Sequence, residues 1–147
     1  MMARIIHAAE QSSWWKPESP AAPAPPVPFA EAIARAAVRT AKDVGARLIA
    51  VFTQSGDTAR LISKERPSVP IVAFSPSEHI RRRLGLYWGV TPRVMSPLRD
   101  TDELIAAVQT HLVGGGFVTQ GDRFVLVYGA PIAMKGSTNT IKVHQVA

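Results

Sequence analysis

The stretch VFTQSGDTARLISKERPSVPIVAF, Val51 to Phe74, decides the fold. An apolar run ends at Phe52 and a small polar loop follows, Thr53-Gln54-Ser55-Gly56-Asp57-Thr58. A helix-like segment over 56–66 is closed by Pro67, and a second apolar run, Pro70 to Phe74, comes next. Strand, loop, helix, strand is one βαβ unit, whose parallel strands need a helical crossover.

The same alternation extends in both directions. Residues 29–44 place Ile33, Ala37, Val38, Ala41 and Val44 on one stripe and Arg35, Arg39 and Lys42 elsewhere, which predicts an amphipathic helix stopped at Gly45. RLIAVF (47–52) predicts a buried strand and PIVAF (70–74) a second. A helix over 76–85, a weak third strand over 91–96 and an acid-led helix over 100–113 follow, the last ended by Gly114-Gly115-Gly116. RFVLVYG (123–129) predicts a fourth strand and NTIKVHQV (139–146) an edge strand. Strands alternating with helices imply an α/β three-layer sandwich, a mostly parallel sheet with helices on both faces. The final connection contains no helix, so the fifth strand is free to run antiparallel beside the fourth.

Ahead of this domain, residues 2–13 read as a short helix with Ile5, Ile6 and Ala9 on one face. A helix of that length is marginal alone in water and must dock. Half of the residues in PESPAAPAPPVP, Pro17 to Pro28, are proline, which favours an extended linker. The expected organisation is therefore an N-terminal helical segment over 1–16, a linker over 17–28 and an α/β domain over 29–147.

The 147-residue chain has no cysteine, so a disulfide framework, a thiolate metal site and a Cys nucleophile are excluded. No apolar run approaches the ~20 residues of a membrane span, and MMARIIHAAEQSSWW is a poor signal peptide; a soluble, cytoplasmic protein is expected, with no membrane partner. The net charge of +6 comes from scattered Lys and Arg, the one tight cluster being Arg81-Arg82-Arg83. Consecutive helical residues lie about 100° apart, so these three cannot share one groove, and no nucleic-acid partner is expected. His7, His79, His111 and His144 share no metal-ligand spacing, and no metal site is expected. Asp100, Asp102 and Glu103 sit in a first helical turn, where capping and dipole pairing explain them. No catalytic residue stands out.

Two loops remain. Thr53–Thr58 follows a strand and opens a helix at the carboxyl end of a parallel sheet, where open α/β folds bind ligands. Its hydroxyls and the first free helical N–H groups suit a phosphate; they equally suit a helix cap, with Ser55 or Asp57 satisfying the backbone. Asp57 opposes an anion by about 1 kcal/mol at a solvated distance near ~4 Å. GAPIAMKGSTN, Gly129 to Asn139, is long for a link between paired strands and carries Lys135-Gly136-Ser137-Thr138. In a sheet ordered 3-2-1-4-5 both loops open at the same end.

Taken together, these segments resemble the carboxy-terminal domain of pyruvate kinase. TQSGDTARLISKERPSVPIVAF is similar to its Thr-x-Ser-Gly-x-Thr-Ala loop followed by an Arg-Pro pair and a Pro-Ile strand. EAIARAAVRTA (31–41), RRLGLYWGVTP (82–92), GFVTQGDRFVLVYGAP (116–131) and GSTNTIKVHQV (136–146) resemble further segments of that domain, in the same order. MARIIHAAE (2–10) resembles the last helix of the family's catalytic barrel. The resemblance implies a five-stranded sheet with an antiparallel last strand, and a regulatory domain whose two loops clasp a sugar phosphate or nucleotide effector. It also implies subunit contacts in a homo-oligomer, or contacts with the catalytic domain. Carried over by position, the phosphate ligands are Thr53, Gln54, Ser55, Gly56 and Thr58, with Lys135, Gly136 and Ser137 closing from the second loop. No cofactor is expected in this chain. Mg²⁺ and K⁺ belong to the family's barrel, whose Gly-Asp-Leu-Gly segment and transfer Lys have no counterpart here, so the chain alone is expected not to catalyse. The alternatives are a purely structural oligomerisation domain and a small phosphate-ester-acting enzyme.

Overall fold

Five consecutive buried residues, Leu48–Phe52, form β1 at the centre of a five-stranded sheet. The computed structural model describes residues 2–12, 26–132, 134 and 136–147. Residues 17–25 of the predicted linker and Lys135 of the second loop lie outside the described residues. In chain order the elements are α1 (Met2–Glu10), α2 (Phe29–Asp43), β1, α3 (Asp57–Lys64), β2 (Ile71–Ser75), α4 (Glu78–Leu84), β3 (Val90–Val94), α5 (Thr101–Gly114), β4 (Arg123–Gly129) and β5 (Thr138–Gln145).

The sheet order is β3-β2-β1-β4-β5. The first four strands are parallel, and β5 runs antiparallel to β4. Ile49 aligns with Ile71 and Val125, and Ala50 with Val72 and Leu126. Neighbouring positions on a strand point to opposite faces, so each strand feeds two cores. Ile49, Val51, Ile71, Ala73, Val125 and Val127 pack against α2, α3 and α4. Leu48, Ala50, Phe52, Val72, Phe74 and Leu126 pack on the other face against Leu104, Val108 and Leu112 of α5. That double burial is why β1, β2 and β4 read as continuous apolar runs rather than alternating ones.

The fully buried ridge of α2 is Ala34, Ala37 and Ala41, with Ile33, Val38 and Val44 at its flanks. Short side chains bring the helix backbone close to the sheet, and Ala34 belongs to the stripe although the larger residues outline it in the sequence. Asp100 caps α5 by accepting from the Glu103 N–H at 2.9 Å, and Glu103 accepts from the Arg99 N–H at 3.1 Å. These carboxylates have the capping role the sequence suggests. β3 lies at one sheet edge, where Pro92 is tolerated because an edge strand can spare a donor. It starts one residue earlier than expected and ends at Val94.

Candidate functional site

β1 and β4 are adjacent and parallel, with Val51 beside Val127, so the chain leaves both at the same end of the sheet. The loop after β1 and the loop after β4 face one another there across a pocket of about 150 Å³. Two bridges hold them together. The Gln54 side-chain amide donates to the Ile132 carbonyl at 2.8 Å, and the Thr58 and Thr138 hydroxyls meet at 2.5 Å. The second loop is pinned at its base by Asn139, whose side chain accepts from the Ala130 N–H at 2.9 Å and donates to the Ala130 carbonyl at 2.7 Å. Gly129 lies directly under Ser137, and a Cβ there would overlap the Ser137 hydroxyl and backbone.

Thr53, Gln54, Ser55, Thr58, Gly136 and Ser137 all line this pocket. Gly56 does not: it is the residue before α3, holds φ of 88°, and turns its Cα toward Ile80, Arg83 and Leu84 of α4. Lys135 lies outside the described residues. Residues absent from the sequence-based site complete the wall, notably Ala30 at the start of α2, Ile132, and Thr138 at the start of β5. Thr138 sits in the same Gly-Ser-Thr-Asn run as Ser137, which is a usable signal; nothing local marks Ala30.

The loop's polar groups are engaged with one another. Thr53, buried, accepts from the Gly56 N–H at 2.9 Å. Ser55 accepts from the Asp57 N–H at 3.3 Å and donates to the Asp57 carboxylate at 3.2 Å. Two of the N–H groups expected to face an anion thus point at loop hydroxyls, and the Ser55 interaction is the longer and weaker one. Arg83 donates to the Ser55 carbonyl. Its neighbours go elsewhere: Arg81 forks onto both Glu78 oxygens at 2.9 Å and Arg82 lies 3.6 Å from the same carboxylate. The Arg81 hydrogen bond holds the Glu78 carboxyl below its ordinary range. The three-arginine run therefore serves two different ends, and one of them is to brace the first loop.

His144 and His111 lie on the α5 face of the sheet, away from the pocket lining. His144 packs at a tilt against Phe124, ring centres 5.1 Å apart, and shares a 2.6 Å hydrogen bond with Gln109, while His111 meets the Phe74 ring edge-on. Burial, and then Lys142, push the His144 pKa down. Among the described residues, no three His, Asp or Glu side chains gather as a metal site, and no helix is long and apolar enough to cross a membrane.

Comparison with known proteins places this architecture. The family model for the pyruvate kinase alpha/beta domain matches residues 31–144. Pyruvate kinase of Agrobacterium vitis is 40% identical over 156 aligned positions, which cover 99% of this chain and 31% of that protein. Pyruvate kinase of Clostridium acetobutylicum is 41% identical over 106, covering 72% of this chain and 22% of the relative. Among solved structures, Cryptosporidium parvum pyruvate kinase in complex with ADP superposes with a TM-score of 0.76 at 34% identity, over 85% of this chain and 25% of the other. The chain spans less than a third of the length of these relatives.

Proposed function

The chain belongs to the family of the pyruvate kinase alpha/beta domain, and from that membership we propose that it serves as a regulatory and assembly domain of a pyruvate kinase, binding a phosphorylated effector between the loops after β1 and β4. One observation carries the reading: two loops from adjacent parallel strands oppose each other across a hydroxyl-lined pocket at the carboxyl edge of the sheet. A sugar phosphate or a nucleotide would take its hydrogen bonds from Ser55, Thr53, Thr58 and Ser137, and Lys135 would supply positive charge from the second loop. The bound phosphate would replace the long Ser55 contact to Asp57, and the released N–H would turn to the anion. The domain works in the cytoplasm beside a catalytic domain, and the Mg²⁺ and K⁺ of the reaction are held there. Subunit contacts form along β5, whose outer edge pairs with no further strand among the described residues and whose Val143 is 44% exposed.

The internal hydrogen bonds of the first loop favour a second reading, a purely structural oligomerisation domain in which Thr53 and Ser55 only hold the turn into α3. Titration calorimetry against sugar phosphates and AMP separates the two. Effector binding that weakens about tenfold to hundredfold in Ser55→Ala supports the regulatory site. Asp57→Asn should tighten binding by removing the opposing charge. Absence of binding by the wild-type chain, or a Ser55→Ala variant with lowered thermal stability and unchanged affinity, leaves the structural reading.

A further inference from the structure

Trp88, which has no role in the site described above, ties α1 to the end of α3. Its indole N–H donates to the Glu10 carboxylate at 2.9 Å, and its carbonyl accepts from the Ser63 hydroxyl at 2.6 Å. The Arg66 guanidinium lies 4.8 Å from the centre of the same ring, a cation–π arrangement. Among the described residues, the Glu10 contact is the one hydrogen bond between α1 and the sheet domain. Elsewhere α1 is open, with Ile5 61% and Ile6 56% exposed.

Ser63 is in the last turn of α3, and Arg66 follows the end of that helix. At the other end of α3, Asp57 and Thr58 form part of the pocket wall. The helix is eight residues, about 12 Å, from end to end. Thr58, Ala59, Ile62 and Ser63 are all buried along it, so it has little freedom to bend and a shift at one end must reach the other.

We propose that Trp88 is a latch that couples the pocket wall to α1 through α3: displacement of Thr58 and Asp57 moves Ser63, which holds the Trp88 carbonyl, and Arg66, which covers the indole that tethers Glu10. The coupling is reciprocal, so freeing α1 loosens α3 and ordering α3 steadies α1. Its use by an effector rests on the reading of the pocket under Proposed function; the mechanical link between α1 and α3 does not.

Amide hydrogen exchange on the full chain tests it. Trp88→Phe keeps a ring beneath Arg66 and removes the indole donor; Glu10→Ala removes the acceptor and leaves the ring untouched. Both variants should speed exchange in residues 2–12 by about tenfold, as expected when one charge-assisted hydrogen bond is lost. Both should also speed exchange at the start of α3, near Thr58, with β1 and β4 as protected as in the wild type. Faster exchange confined to residues 2–12, or no change in either region, overturns the proposal. In a second arm, inorganic phosphate should slow exchange of α1 in the wild type and not in Trp88→Phe. Phosphate that binds without affecting α1 also overturns the latch. Phosphate that fails to bind refutes the pocket reading instead, and the ligand-free comparison still decides whether α1 and α3 are coupled.

Discussion

The hydroxyl pair Thr58–Thr138 offers the sharpest test of how the two loops are joined. Replacing either threonine by valine keeps the shape and removes one hydroxyl. Thr58 is a helical residue, and threonine and valine have similar helix propensities; Thr138 begins a strand, which valine suits equally. Thr58 is only 4% exposed, so in Thr138→Val its hydroxyl loses a partner that water cannot readily replace, costing about 1–3 kcal/mol. Thr138 is half-buried on the pocket wall and can be rehydrated, so Thr58→Val should sit at the low end, about 1 kcal/mol. In the double variant neither hydroxyl remains to be left unpaired, and the loss should be no more than about 1 kcal/mol. The cycle therefore predicts a coupling of about 1–3 kcal/mol, measured from urea denaturation midpoints. In thermal melts each kcal/mol corresponds to about 2–4 °C for a domain near this size. Single losses that add in the double variant to within about 0.5 kcal/mol would show that the hydroxyls do not cooperate, and that the loops are held together by something else.

Gly56→Ala should destabilise the chain by about 1–2 kcal/mol, because φ of 88° disfavours any L side chain. The new Cβ would also sit 3.3–3.4 Å from the Arg83, Ile80 and Leu84 side chains; an unchanged urea midpoint would contradict this. Burial, then Lys142, lower the His144 pKa, so its contribution is whole above the ordinary value of 6.5 and is lost as pH falls through the depressed folded value. His144→Gln should flatten the pH dependence of stability below 6.5, and a slope identical to wild type would be evidence against it. Asp122 accepts from the Thr119 N–H at 2.9 Å, which lowers its pKa below 3.8; its contribution is present above that value and lost as acid reaches the folded pKa. Asp122→Asn should remove that acid-dependent part of the stability curve, and an acid limb that persists unchanged would assign it to other carboxylates.

The sequence by itself determined the element types, their order and the class of fold. β1, β2 and β4 are apolar without alternation because both of their faces are covered, and Gly, Pro and acidic caps mark where the helices between them stop and start. The helix-free last connection left the fifth strand free to run antiparallel and the loop chemistry marked both loops; the resemblance added the antiparallel direction as an implication and the candidate phosphate ligands. Such signals are local: periodicity, capping and turn chemistry act over a few residues, so one chain segment suffices to read them.

The tertiary structure alone decided which groups meet. Gly56 turns away from the pocket because α4 packs behind it, whereas Ala30, at the start of α2, enters the wall. Arg83 braces Ser55 from 28 residues away, and Trp88 reaches Glu10 from 78 away, with no pattern in either neighbourhood to announce it. The direction of an N–H group in the Thr53–Thr58 loop likewise depends on whether Thr53 and Ser55 fold back onto the backbone or open toward a ligand. Contacts of this kind are set by the packing of whole elements against the sheet, and that packing is a property of the assembled core rather than of any stretch of sequence.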